Sequence, residues 1–391
     1  MKRPKPSRKK IKRTLRDCRK PLFFLAGGAA ALGVFWAARR NRVWMDRFIQ
    51  WVSMPWKRAV SGLLDPIPYS VGELVCAGLV IALLLAAMFT LRQRLDGKPV
   101  LLKRLLALAA AGLWAYVGMC AFWGVHYYGT SFQERAGLEV RPVSVAQLWY
   151  TADWFAQQVN ETAHRVPRNE EGALVVDAEV IFDQFPQVYQ GLEQEYPFLA
   201  QGPQRRPKKA LFSRLMSSAG FTGYLFPYSG EATLNMDAPT VFLPVTLAHE
   251  ASHQRGVAPE QEANFVGVAA CISSNLPVYE YSGYLFGWLQ MANALYRAAP
   301  RLYGMQLQKL SPLARMDLTK NDAYWKKFQG PARHVAEKTY TEFLYSYGQV
   351  LGMQSYGACV DLLVARYCPQ DTADRAPGIP LPFWQKEQRK M

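Results

Sequence analysis

The chain has 391 residues, 50% hydrophobic and 19% charged, with 46 Lys+Arg against 30 Asp+Glu and a formal net charge of +16. Half-apolar composition excludes a disordered polar chain, which lacks apolar surface to bury, and six Cys in this length are too few for a disulfide-stapled miniprotein. Mean hydropathy is close to neutral, so membrane character must be concentrated in one part, and the length suggests about two units.

The first twenty residues carry eleven Lys or Arg and one Asp. They read as a disordered basic tail. Nucleic-acid binding needs more than a charge run, such as interleaved aromatics, and this stretch has none. Residues 21–38, PLFFLAGGAAALGVFWAA, contain no charge. A helix of that length reaches ~27 Å, near the ~30 Å hydrocarbon thickness of a bilayer. Basic flanks favour the cytoplasmic side, which places the N-terminus inside. A cleavable signal peptide is the rival reading, but Trp36-Ala37-Ala38 is a poor cleavage site and two further apolar runs follow.

The next segment is also basic, with Arg39, Arg40, Arg42, Arg47, Lys57 and Arg58, and holds Trp44, Phe48, Trp51, Val52 and Trp56 at helical spacing. That pattern suits a helix lying in the headgroup layer. Residues 75–91 and 105–124 are the second and third apolar runs, joined by the basic loop RQRLDGKPVLLKR. A short basic loop belongs in the cytoplasm. Three spans within 21–124 then put residues 125–368 on the outer side, as an α-rich domain with some β structure. In it, the thirteen apolar residues 283–295 fit a buried core helix. The patch PQRRPKK at 203–209 reads as a solvated turn, and 369–391, with Pro377, Pro380 and Pro382, as an irregular tail. GYLFPYSGEATLN at 223–235 has turn signals at Pro227 and Ser229-Gly230 between β-formers, hence a hairpin. Cys359 and Cys368 are candidates for a disulfide if the domain is outside.

The segment that carries chemistry is PVTLAHEASHQRGVAPEQEANFVG at 244–267. Pro244 fits the first turn of a helix and Gly256 its end. His249 and His253, four apart, share one face and can grip one ion, with Glu250 one step round. After the turn at Gly256-Val257-Ala258, Pro259 opens a second helix carrying Glu260 and Glu262, either of which can supply a carboxylate. Two His, one carboxylate and an open fourth position make a catalytic zinc arrangement. A third His six residues after His253 is missing, because that position is Pro259; the metzincin pattern is therefore excluded.

HEASHQRG followed by PEQEANF resembles the zincin-type metallopeptidases, and Glu262-Ala263-Asn264 resembles the "EAN" element of ImmA/IrrE-type proteases. That resemblance implies Glu262 as the third zinc ligand. A longer resemblance is to an uncharacterised bacterial membrane-protein family known only as a domain of unknown function. It takes in the N-terminal spans, 223–235, the HEASHQRG…EQEANF core, YSGYLF at 281–286 and SYGACVDLL at 355–363. The expected architecture is thus a multi-pass α-helical membrane region followed by an α+β, mostly α zincin-like metallopeptidase domain. Its expected function is zinc-dependent hydrolysis of a peptide or protein, with Glu250 as general base. Asn264 or a nearby carbonyl is a candidate second-sphere partner. Tyr281, Tyr284 and His334 are candidate donors to the developing oxyanion. The alternative function is a non-enzymatic membrane sensor or assembly factor on the same scaffold.

Overall fold

The structure, a computed structural model, describes residues 8–96, 100–347, 349 and 359–369. The expected tail at 369–391 therefore lies, except for Pro369, outside the described residues. Helices dominate, and the chain divides into two compact units, one of residues 1–56 and 71–129, the other of 57–70 and 130–391.

The first unit contains α1 (Arg8–Ala38), α2 (Arg42–Phe48), the start of α3 (Met54–Leu64), α4 (Val71–Leu95) and α5 (Leu101–Phe122). Among the described residues, three stretches are long and apolar enough to cross a membrane: Cys18–Ala38, Val71–Leu95 and Leu101–Phe122. Leu79, Leu83, Leu84, Met88 and Phe89 of α4 are all exposed, a density of apolar surface that suits lipid and not water. α1 and α5 pack along each other, and Trp114 Nε1 donates to Phe24 O at 3.0 Å. The basic N-terminal segment differs from the expected irregular tail: from Arg8 it is already helical and runs without a break into the span. Lys and Arg have good helix propensity, and the contiguous apolar turns extend it. Pro21 lies inside this helix.

Between α2 and α3 the helix widens into a π-helical stretch, Ile49–Ser53. Trp44, Trp51, Val52 and Trp56 are exposed while Met45, Ser53 and Met54 are buried. The aromatic spacing thus produces an amphipathic element with its indoles outward. Ser53 Oγ lies 3.0 Å from His126 Nε2.

The second unit begins earlier in the chain than expected, because Lys57–Ser70 packs within it. Lys208 Nζ donates to Leu64 O at 2.7 Å, Ser70 Oγ accepts from Thr233 Oγ1 at 3.1 Å, and Tyr69 bridges Lys209. The rest of the unit comprises α6 (Phe132–Arg135), α7 (Val145–Ala163), α8 (Ala178–Val188), α9 (Gln190–Glu195), α10 (Ser213–Ala219), α11 (Leu243–Gln254), α12 (Glu260–Ile272) and α13 (Pro277–Ala298). Then follow α14 (Pro300–Lys309), α15 (Pro312–Lys326), α16 (Pro331–Ser346) and α17 (Val360–Tyr367). Strands β1 (Lys208–Lys209), β2 (Gly223–Leu225) and β3 (Ala232–Leu234) form one small sheet in the order β1-β3-β2. β2 and β3 are the expected hairpin, antiparallel with Tyr224 opposite Thr233, and β1 joins β3 in parallel.

The core lies where α7 and α13 pack. α7 starts on a capping box, Ser144 Oγ accepting from Gln147 N while Ser144 N donates to Gln147 Oε1. It then buries Leu148, Ala152, Phe155 and Val159 at three- and four-residue spacing. α13 contributes Leu285, Trp288, Met291, Ala292 and Leu295, so the apolar run 283–295 is the core helix its length predicts. α11 and α12 pack against each other, α11 also against the sheet and α12 against α13. α17 carries Cys359 before its first residue and Cys368 after its last. Nine residues of helical rise hold the two about 13 Å apart, beyond the ~7 Å Cα separation a disulfide tolerates. No disulfide joins them, contrary to the pairing considered from sequence.

Candidate metal centre

α11 is preset by its sequence: proline stands in its first turn, where a missing N–H costs nothing, and Leu247, Ala248 and Ala251 bury one side completely. The helix ends at Gly256, with φ of 90°, a left-handed conformation that glycine adopts without strain. Val257 N donates back to Ser252 O and Gly256 N to His253 O, both at 3.1 Å, which is the Schellman arrangement. The same reversal brings Val257 O to 2.6 Å from His253 Nδ1. A carbonyl only accepts, so Nδ1 carries the proton and donates, leaving the Nε2 lone pair for a ligand in the neutral ring.

His249 and His253 stand with ring centroids 4.7 Å apart and planes at 86°. Facing them is Glu260, the first residue of α12. Its Oε2 lies 3.2 Å from His249 Nε2 and 3.7 Å from His253 Nε2. One donor atom from each of the three residues falls within 4.8 Å of the others. Two imidazole nitrogens and one carboxylate oxygen are a donor set suited to zinc. Burial by itself would raise the Glu260 carboxyl, but the His253 and His249 rings against it hold it well below the ordinary carboxylate value.

Glu262, the ligand implied by the EAN resemblance, is not in this cluster. Its carboxylate accepts from Phe132 N at 2.9 Å and Gln133 N at 3.3 Å, closing the N-terminus of α6. Two residues on a helix differ by about 200° in direction, so when Glu260 faces the imidazoles Glu262 must face elsewhere. Burial raises the Glu262 carboxyl, and the two backbone N–H groups only partly offset that.

Glu250 is buried beside the cluster, and its Oε2 has no hydrogen-bond partner among the described residues. Burial raises its carboxyl against the opposing pull of His249 and His253. A carboxylate made more basic by burial is better suited to taking a proton from water. Gly223, at the start of β2, lets the edge strand come against it: a Cβ there would lie 2.7 Å from Glu250 Oε1. Glu250 opens on a cleft of about 240 Å³ lined by Thr222, Gly223, His249, Asn264, Phe286 and Arg333, among others. Asn264 thus lies one helical turn beyond Glu260 on the cleft side.

The three candidate oxyanion donors are elsewhere; none lines this cleft. Tyr281 is fully buried and donates to Asp317 Oδ2 at 2.6 Å, in a network where Arg168 Nη1 also reaches Asp317 at 3.0 Å. Burial and then Asp317 raise its phenol. Tyr284 packs edge-on against Trp154, centroids 5.8 Å apart. His334 is on the exposed side of α16. What sequence reasoning missed is Tyr340 on α16, whose hydroxyl donates to Glu260 Oε1 at 2.5 Å. No local motif marks it, because it reaches the site from eighty residues away.

Residues 50–364 match a family described as "Protein of unknown function (DUF3810)". The chain belongs to that family. Its match covers the later part of the amphipathic segment from residue 50, two of the candidate spans, and all of α11 and α12. No curated protein and no solved structure matches the chain.

Proposed function

We propose that this DUF3810 protein is a membrane-anchored, zinc-dependent peptidase with a zincin-like site, working on the outer side of a bacterial membrane. The observation that carries the reading is the convergence of His249 Nε2, His253 Nε2 and Glu260 Oε2, with the basic and buried Glu250 next to them. A zinc ion held there would supply a Lewis acid for the scissile carbonyl and make water easier to ionise. Glu250 would accept the proton of the attacking water and return it to the departing amine. β2 is an edge strand, and Thr222 and Gly223 on the cleft wall are placed to align an extended peptide by strand addition. The small cleft volume favours one or two residues of an extended chain over a folded element. The basic N-terminal segment and the basic loop after α4 favour the orientation with this domain outside.

The test is the Glu250→Gln variant of the full-length protein in detergent. It is expected to retain zinc while hydrolysis of an unstructured protein substrate falls by about 10²-fold or more. Zinc-dependent hydrolysis at the wild-type rate in this variant would sink the reading.

A further inference from the structure

Glu260 divides its two oxygens between different partners. Oε2 faces the imidazoles at 3.2 and 3.7 Å, while Oε1 accepts from the Tyr340 hydroxyl at 2.5 Å. A carboxylate with both oxygens available can chelate a cation; one with an oxygen committed to a phenol presents a single oxygen. Three single-atom donors leave the fourth position of a tetrahedral ion open. Partners that hydrogen-bond a ligand set its direction and are part of a metal centre's affinity.

The phenol is itself held. The Tyr340 ring meets Phe221 edge-on with centroids 5.8 Å apart and stacks on Phe343 at 5.8 Å with planes at 23°. α16 packs on α10, and its Arg333 and Glu337, paired at 2.7 Å, line the same cleft. The ring is seated in aromatic packing that phenylalanine would preserve, while the hydroxyl is held by its own hydrogen bond to Glu260 Oε1.

We infer that Tyr340 is a positioning residue of the metal centre, holding Glu260 as a one-oxygen ligand and making α16 part of the site. The inference rests on the zinc reading above. It is tested on the full-length protein in detergent by comparing Tyr340→Phe with wild type. Zinc affinity is measured by competition with a chromophoric chelator, the visible spectrum of the cobalt-substituted protein is recorded, and the metal-free protein is melted. Tyr340→Phe is expected to bind zinc about 10–100-fold more weakly and to shift the cobalt bands, while the metal-free protein still melts cooperatively as a folded chain. Phe343→Leu, which disturbs the same packing but keeps the hydroxyl, is expected to leave the cobalt bands in place.

Equal zinc affinity and superimposable cobalt spectra in wild type and Tyr340→Phe would overturn the role of Tyr340 alone. Equal losses in Tyr340→Phe and Phe343→Leu would overturn it as well, since packing and not the hydroxyl would then be responsible. A wild-type protein that takes up neither zinc nor cobalt would bring down the zinc reading and this inference together.

Discussion

Glu260 and Glu262 occupy the same helical turn, yet one meets two imidazoles and the other two backbone N–H groups. Their substitution should therefore separate metal binding from stability. Glu260→Ala is expected to abolish stoichiometric zinc, because it deletes one of three ligands. Glu262→Ala should keep the zinc and lower stability by about 1–3 kcal/mol, the cost of leaving buried N–H donors without a charged acceptor. Metal analysis and chemical denaturation on both variants check this, and zinc loss in Glu262→Ala alone would reverse the assignment.

Lys57 is a second residue whose environment decides its chemistry. It is fully buried, with its stem against Gly230, and burial lowers its ammonium from 10.5 to about 7. Between those values the unfolded chain binds the proton and the folded one has released it, so stability rises with pH across that interval. Lys57→Met should remove that rise. The measurement is the thermal midpoint as a function of pH for both proteins, and parallel curves would rule the effect out.

At the scale of elements, the turn between α11 and α12 does two jobs. Gly256 ends α11 in a left-handed conformation, and the resulting reversal delivers Val257 O to His253 Nδ1. A Cβ there costs about 1–2 kcal/mol. Gly256→Ala is expected to lower stability by that amount and to weaken zinc binding, because the imidazole loses the partner that fixes its tautomer. Denaturation and zinc titration on the same preparation check both halves. The hairpin belongs to the same design, since glycine at 223 allows the edge strand to lie directly against Glu250.

For the whole molecule, the first unit holds three helices long and apolar enough to cross a membrane, and the α-rich second unit with its small sheet holds the candidate metal centre. The proposed orientation predicts that an exposed position on α15, Lys320→Cys, is labelled in intact cells by a membrane-impermeant maleimide, with unsubstituted protein as control. Labelling that appears only after the membrane is permeabilised would place the domain inside.

Periodicity and run length in the sequence were enough to locate the three apolar helices, the hairpin, the core helix at 283–295 and the His249/His253 pair. Each is a local property: hydrocarbon thickness, turn chemistry or the four-residue helical repeat decides it within one segment. The same local reasoning leaves the carboxylate open between Glu260 and Glu262, and the resemblance points to Glu262, which the structure places on Phe132 N and Gln133 N and not beside the imidazoles. Only tertiary packing decides that, because the face α12 turns toward α11 depends on how the two helices dock, and no spacing within α12 records it. Docking likewise brought Lys57–Ser70 into the second unit, committed Tyr281 to Asp317 and carried Tyr340 to Glu260. These contacts join residues tens of positions apart, where a side chain's partner is chosen by the fold and not by its neighbours in the chain.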